Sequence, residues 1–299
     1  MSAAAYRSWG IAFAVCGVLA FSVRPILIKL SYAAHPVSPT TLLFLRMTLS
    51  LPFFIAMGWS MRNRGPRLTA RDWGNVAFLG FIGYYAASFL DFIGLQYVGA
   101  GVGRLIMFLY PTLVLVLSFA FLHRKPAARE VIALVMSYAG IALVLSTQIS
   151  PSAPGGKLFL FGAMLIFGGA LLYAVYLVAG SQVVKRIGSL RFTAYSMMVS
   201  AVPALLQFFV LEPITALDLP AAVWVYALVL ATLSTVLAVF LAAEALKRIG
   251  ANQFALIGAV GPVSVAITSA IGLGEPFTWI QALGGLLVIS GVLLVSLKR

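Results

Sequence analysis

Four charged residues interrupt stretches of this sequence that are otherwise apolar, and their chemistry is that of an anion-binding site. They are Arg24, Arg46, Asp91 and Arg104. A guanidinium group presents several N–H donors to a carboxylate or a phosphate group, and it stays charged at every physiological pH. A neighbouring carboxylate can pair with it. Whether these residues lie close together depends on the membrane spans that contain them.

The composition indicates that most of the chain lies in lipid. Of the 299 residues, 62% are hydrophobic and 9% are charged, whereas a soluble domain carries about 25% charged residues. A membrane-spanning helix needs about 20 apolar residues. We predict an all-α integral membrane protein with ten transmembrane helices and no soluble domain. The predicted spans lie near residues 9–31, 39–59, 73–96, 100–122, 129–148, 158–180, 191–211, 221–246, 251–272 and 278–297.

The basic residues predict the orientation of these spans. The net charge is +13, and with both termini cytoplasmic Lys157 alone lies in an outer loop. Cytoplasmic loops are enriched in Lys and Arg, so the charge reports topology, and we expect no nucleic-acid partner. We predict a multi-pass protein of the cell (inner) membrane. The fifteen residues on the inner side are Arg7, Arg62, Arg64, Arg67, Arg71, Arg124, Lys125, Arg129, Lys185, Arg186, Arg191, Lys247, Arg248, Lys298 and Arg299.

The chain contains an internal repeat. Residues 98–111 read "VGAGVGRLIMFLYP" and residues 249–262 read "IGANQFALIGAVGP", 151 positions later. We assign residues 1–149 to a first five-helix repeat and residues 150–299 to a second, within one membrane domain. Five is odd, so the second copy enters the membrane inverted, as in transporters that rock about a midplane site. The alternative is a duplication that only enlarged the bundle.

Prolines mark candidate hinges within the predicted spans. A proline removes one backbone hydrogen bond and kinks a helix. Two pairs recur in register in the two repeats, and Pro25 follows Arg24. The alternative is that prolines are common in membrane helices. The candidate hinges are Pro25, Pro52, Pro111, Pro203 and Pro262.

The four charged residues lie at similar depths below the predicted outer surface. At 1.5 Å per residue, Arg104 lies about 6 Å down, Asp91 about 8 Å, and Arg24 and Arg46 about 10 Å. We predict that Asp91 pairs with Arg104 to form an outer gate, and that Arg24 and Arg46 bind substrate. Alternatively, all four extend to the interface or bond backbone carbonyls. Their counterparts in the second repeat are Val175, Met197, Ala242 and Ala255.

Polar side chains near the middle of three spans are candidates for the cavity lining. They are Tyr84, Ser88, Tyr173, Tyr176 and Thr235. Tyrosine combines an aromatic surface with a hydroxyl group that needs a partner, which suits a small, partly apolar substrate. Aromatic residues at helical spacing also occur simply as packing residues, and this interpretation stays open.

The sequence lacks the motifs of ATP-driven transporters and of zinc metalloproteases. No GxxxxGK[ST] loop and no HExxH motif is present, so we expect no ATP-driven transport, no enzyme activity, no metal and no cofactor. Asp91 is a candidate for proton coupling, but no relay accompanies it. Proton antiport, facilitated diffusion and exchange therefore remain alternatives.

Several segments resemble a known family. The closing "GEPFTWIQALGGLLVISGVLLV" (274–295), the Gly-Ala pairs that open the fourth and ninth spans, and "FLRM" (44–47) resemble the EamA family of the drug/metabolite transporter superfamily. Within it, the chain is similar to YddG-like amino-acid exporters. The resemblance implies secondary transport through a central cavity, with the fifth and tenth helices peripheral. One departure is Lys125-Pro126, where the second repeat has Glu275-Pro276.

Together these observations predict a secondary transporter that exports amino acids, including aromatic ones, and related metabolites by alternating access. The alternatives are export of other small organic solutes or drugs, and a channel-like or non-transporting protein. The expected partners are a small-molecule substrate and the lipid bilayer. The sequence does not determine the oligomeric state, and a monomer is compatible with it.

Overall fold

The computed structural model describes residues 3–63, 65–122, 127–146, 156–258 and 260–296, and these contain helices and connecting segments but no strand. Five of the basic residues that predict orientation lie outside them: Arg64, Arg124, Lys125, Lys298 and Arg299.

In the first half of the chain, two predicted spans are each divided into two helices, and a third contains a π-helical turn. The helices are α1 Ala3–Ser22, α2 Arg24–Ala34, α3 Pro39–Met61, α4 Ala70–Gly80, the first π-helical turn Phe81–Ala86, α5 Ala87–Tyr97, α6 Ala100–Met107, α7 Tyr110–Leu122 and α8 Ala128–Ser146.

The second half contains a second π-helical turn in the corresponding place. Its helices are α9 Gly156–Ile187, α10 Ser189–Leu211, a short 3₁₀ helix Ile214–Leu217, α11 Ala221–Ala231, the second π-helical turn Thr232–Leu237, α12 Ala238–Gly258, α13 Val260–Leu273 and α14 Trp279–Ser296.

The described helices have the length and composition of membrane spans. Eight continuous helical segments are long and apolar enough to cross a bilayer, and Val260–Leu273 and Trp279–Leu294 are shorter apolar helices. Large apolar side chains cover the outer surface of the bundle: Val210 is 79% exposed and Ile271 is 82% exposed. A surface of this kind is stable only against lipid. The chain is therefore a multi-pass, all-helical membrane protein.

Local sequence explains where several helices begin. The Ser38 hydroxyl accepts a hydrogen bond from the Thr41 N–H (3.0 Å) before Pro39, which is favourable in the first turn. Thr69 and Asp72 form a reciprocal capping box at the start of α4. These caps place the starts of α3 and α4 close to where the hydropathy pattern predicts that the spans begin.

The structure differs from the sequence-based prediction at the second Gly-Ala pair, Gly250-Ala251. Val98 and Gly99 are extended and separate α5 from α6, as predicted. At Gly250 the backbone stays helical, because α12 continues to Gly258. The chain nevertheless reverses, since Ile249 lies against Gly10 whereas the Gly261 carbonyl accepts a hydrogen bond from Ser22, a dozen residues further along α1. The chain therefore changes direction along α1 between Ile249 and Gly261, without an open turn at Gly250.

Helices related by the 151-residue repeat pack against each other in antiparallel pairs. In α3 and α10, the Phe44 ring stacks on Phe208 at 4.2 Å, whereas Gly58 lies beside Tyr195. The beginning of α3 therefore meets the end of α10. The helices α8 and α14 show the same arrangement, because Gly140 lies at Gly284 and Ala133 lies at Gly291.

Glycine allows two of these helices to approach closely. A Cβ atom at Gly140 would lie 2.5 Å from the Gly284 carbonyl oxygen, and one at Gly284 would lie 2.6 Å from the Gly140 carbonyl oxygen. Contacts this short exclude any side chain. Small residues at such crossings let backbones pack in membranes, where helix association depends on van der Waals contact.

We expect Gly284→Ala to lower the free energy of unfolding by about 1–3 kcal/mol, because the added methyl group overpacks the crossing. Gly285→Ala is the matched control, since its Cβ would meet the Leu105 side chain at an ordinary 3.5 Å. Thermal unfolding of both purified variants in detergent measures the difference. Equal stability of the two variants would contradict this packing.

Candidate transport site

The two π-helical turns place polar side chains at matching positions in the two halves. Phe81–Ala86 and Thr232–Leu237 are 151 residues apart. A π-helical turn inserts one extra residue into an α-helix and is frequent at functional sites. Tyr84 lies in the first turn and Thr235 in the second, where the Thr235 hydroxyl donates to the Leu230 carbonyl (2.8 Å). No sequence pattern pointed to these turns.

Arg46 joins the two halves of the protein. It lies on α3 and is 3% exposed. Its Nε donates to the Thr235 hydroxyl at 3.1 Å, and its Nη1 donates to the Ser88 hydroxyl at 3.0 Å. Ser88 belongs to α5 in the first half, whereas Thr235 belongs to the second half. One guanidinium thus holds three separate spans in register.

Asp91 forms its ion pair with Arg24, so the predicted pair with Arg104 is wrong in this structure. The Arg24 Nη2 lies 3.1 Å from the Asp91 Oδ2, and both side chains are 11% exposed. The prediction failed because it compared only adjacent spans. The break at Val23 starts α2 at Arg24 and places Pro25 in its first turn, and the packing of α2 against α5 brings the guanidinium to Asp91.

Ser88 and Phe92 complete the surroundings of the two arginines. Arg24 Nη2 also donates to the Ser88 hydroxyl at 3.3 Å, so this oxygen accepts from both guanidiniums. The guanidinium carbons of Arg24 and Arg46 lie 5.5 and 5.8 Å from the centre of the Phe92 ring. A cation over an aromatic face is stabilised by the ring quadrupole. Sequence reasoning missed Phe92, although it follows Asp91 directly.

Arg104 lies in the same region without a polar partner. Its guanidinium approaches Gly261 of α13. Its Nε is buried. Among the described residues, its side chain forms no ion pair and donates no hydrogen bond. Tyr110, Arg24, Asp91 and Tyr173 are within electrostatic range of it. Arg104 is therefore a partly buried cation with no direct hydrogen-bond or ion-pair partner among the described residues, which leaves it available to bind an anion.

The predicted tyrosines form one connected aromatic cluster. The Tyr84 and Tyr176 rings are 5.1 Å apart, and the Tyr173 ring stacks near Tyr176 at 5.8 Å. Tyr110, which the sequence did not single out, packs edge-on against Tyr173 at 5.3 Å. The Tyr176 and Tyr84 hydroxyl groups are 3.4 Å apart. The cluster thus extends from Tyr84 toward the surroundings of Arg104.

The candidate hinge prolines fall into two groups. Pro25 and Pro111 stand just after interruptions, at Val23 and at residues 108–109. Pro262 is the third residue of α13, follows position 259 outside the described residues, and belongs to neither group. Pro52 and Pro203 lie inside the continuous helices α3 and α10. A break before a proline leaves backbone groups without helical partners, so the first group stands at the natural bending points.

A cavity adjoins the charged region. It has a volume of about 400 Å³ and lies between α2 and the end of α5, with Lys29, Tyr32 and Gln96 among its lining residues. The Tyr32 hydroxyl donates to the Phe92 carbonyl oxygen at 2.9 Å. The cavity wall therefore contacts Phe92, and the Arg24 and Arg46 guanidiniums lie over the ring of this residue.

Glu275 links the two halves at the predicted outer end. Its carboxylate accepts hydrogen bonds from the Ala100 N–H (2.8 Å) and the Gly101 N–H (3.2 Å). A carboxylate at a helix N-terminus satisfies free N–H groups and interacts favourably with the helix dipole. Its counterpart Lys125 lies outside the described residues.

Comparison with known proteins identifies the class. The model of the EamA-like transporter family matches residues 8–146 and again residues 160–297. The chain therefore belongs to this family and carries two copies of its domain. It is a membrane transporter, and the family consists of transporters and not of enzymes.

Individual relatives agree with this class. The uncharacterized transporter YyaM of Bacillus subtilis is 32% identical over 73% of this chain and 71% of its own length. The uncharacterized transporter YcbK of the same organism is 28% identical over 92% of this chain and 88% of its own. A protein crystal structure with 19% identity matches with a TM-score of 0.66 over 97% of both chains, which supports the fold alone.

Proposed function

We propose that this protein exports amino acids, including aromatic ones, and related small metabolites by alternating access through a central site. The observation that carries the proposal is the contact of Arg46 with Ser88 and Thr235, because it places a buried cation where the two halves meet. A carboxylate binds there through charge-assisted hydrogen bonds. The adjacent tyrosine cluster offers an aromatic surface for the rest of the substrate.

The proposed architecture is a five-plus-five inverted repeat of ten transmembrane helices, with both termini cytoplasmic in the inner membrane. The antiparallel packing of α3 with α10 and of α8 with α14 supports inversion. Transporters with inverted repeats bind substrate near the midplane and rock one repeat against the other. Pro111, which follows an interruption at residues 108–109, and Pro262 lie at matching positions in the two halves, and we assign both prolines as hinges.

The test is transport by purified protein in proteoliposomes, measured as uptake and counterflow of a radiolabelled amino-acid panel. We expect saturable counterflow that other panel members compete for. Indifference to a pH gradient would support facilitated diffusion or exchange, whereas acceleration would assign Asp91 to proton coupling. Failure to transport any panel member or related organic acid, by protein that is folded, would contradict the proposed function.

A further inference from the structure

We infer that the transported compound is an organic anion with more negative than positive charges, such as a carboxylate without an ammonium group. This inference rests on the proposed function and narrows its substrate class from amino acids and related metabolites to those related metabolites that carry a net negative charge. It starts from the charges buried in the site. Arg24, Arg46 and Arg104 contribute three positive charges and Asp91 one negative charge, which forms its direct ion pair with Arg24 and lies within electrostatic range of the other two arginines.

The partners of the other two arginines are neutral. Arg46 is held by the hydroxyl groups of Ser88 and Thr235. Arg104 has no hydrogen-bond or ion-pair partner among the described residues. The site therefore carries two excess positive charges in an apolar surrounding. Such charges are costly within a membrane unless an opposite charge or water compensates them.

The protein has no further acid to supply that compensation. The chain contains seven acidic residues, and all lie in the described part. Asp218 lies in the exposed segment before α11. The remaining five have other partners: Asp72 pairs with Arg186, Glu130 accepts from the Ala127 N–H, Glu212 accepts from Ser38, Glu244 pairs with Arg248, and Glu275 caps α6.

A zwitterion would leave the excess charge unchanged. Its carboxylate could bind Arg104, but its ammonium group would enter a region that holds three guanidiniums and a single carboxylate. That carboxylate, Asp91, is already occupied by Arg24. An anion of the same size and shape brings the favourable contact without the repulsion, and like-charge contacts of this kind are a strong determinant of specificity.

The cavity on the proposed outer side of the site is positively charged, like the site itself. The cavity of about 400 Å³ is lined by Lys29 and by no acidic residue. Its volume lies in the range of small-molecule sites. Glu275 is within electrostatic range of Lys29, but its two oxygens cap the N-terminus of α6. An anion that leaves Arg104 would therefore pass from one cation to the next.

The test uses four compounds with one phenyl ring and different charges. They are phenethylamine, a cation; phenylalanine, a zwitterion; phenylpyruvate, a monoanion; and phenylsuccinate, a dianion. Counterflow of each is measured in proteoliposomes. We expect at least one of the two anions to exchange roughly tenfold faster than phenylalanine, because 1.4 kcal/mol of better binding in the rate-limiting state corresponds to that factor.

Variants of Arg104 assign the effect to the site. Arg104→Gln should reduce anion exchange about tenfold and reduce phenylalanine exchange by less, so that the ratio of anion to zwitterion rates falls, whereas Arg104→Lys should keep the anion preference. Lys157→Gln, at an exposed lysine at the start of α9, is the matched control and should behave as the wild type. Thermal unfolding of each purified variant verifies that it is folded.

The outcomes separate this inference from the proposed function. Transport of phenylalanine at a rate equal to or above that of both anions would overturn the inference and leave the proposed function standing. The same holds if Arg104→Gln leaves the ratio of anion to zwitterion rates unchanged. If chloride or phosphate suppresses anion exchange completely at physiological concentration, a resident inorganic ion neutralises the site, and the inference is wrong. Transport of none of the four compounds, nor of any amino acid, contradicts both.

Discussion

Replacing Arg46 with glutamine is expected to reduce the initial rate of transport roughly a hundredfold. Hydrogen bonds from a charged group contribute about 1.5–3 kcal/mol each, and every 1.4 kcal/mol is a factor of ten. Arg46 makes two such bonds, one to Ser88 and one to Thr235. The amide of glutamine is shorter and uncharged, so it cannot bridge the two hydroxyl groups. The substitution therefore removes both the hydrogen bonds that join the two halves and the positive charge at this position.

The measurement is counterflow of the best-transported compound in proteoliposomes with equal amounts of wild type and variant. Arg46→Lys is the informative companion, because a lysine keeps the charge but lacks the planar fork that reaches two partners. We expect an intermediate rate for it. Lys157→Gln again removes a cation outside the site and should not change the rate. Full activity of Arg46→Gln would contradict a role of the charged residues in binding.

The second large effect is expected from breaking the pair between Arg24 and Asp91. Asp91→Asn leaves the Arg24 guanidinium buried without its counter-charge, since both side chains are 11% exposed. Removing one partner of a buried ion pair costs about 3–5 kcal/mol. For a chain of this size, we expect the Tm to fall by roughly 10 °C. Thermal unfolding in detergent, followed by loss of the monodisperse peak in size-exclusion chromatography, measures the shift.

The double variant Arg24→Gln with Asp91→Asn is the control for this prediction. It removes both charges, so no unpaired ion remains, and much of the lost stability should return. Nonadditivity of this kind is the signature of a direct interaction. If the double variant is as unstable as the sum of the two single variants, Arg24 and Asp91 do not stabilise each other.

The pairing of Asp91 with Arg24 changes how an outer gate would work. A gate between Asp91 and Arg104 would have neutralised Arg104 and left Arg24 free. With Asp91 on Arg24, the free cation lies on α6, next to Gly261 of α13. Arg104 is thus at the contact between the two halves, close in sequence to the interruption that precedes Pro111. A substrate bound there would couple directly to the proposed hinges.

Some features of the site could not be read from the sequence because they depend on contacts between distant segments. Arg46 and Thr235 are 189 residues apart, and nothing local marks them as partners. Counting residues from the membrane surface placed the four charged residues at one depth. It could not give their positions around the bundle, and therefore it chose the wrong arginine for Asp91. Tyr110 and Phe92 were missed for the same reason.

The sequence by itself determined that the chain is a membrane protein, where its apolar segments lie, and that it is a duplication with unequal charges in the two copies. These properties follow from hydrophobicity and repetition, which are recorded residue by residue along the chain. Only the tertiary structure decided which arginine pairs with Asp91, where α-helix gives way to a π-helical turn, and that the chain changes direction along α1 between Ile249 and Gly261. These depend on how helices pack, because close packing selects one set of neighbours among many that the same hydropathy pattern allows.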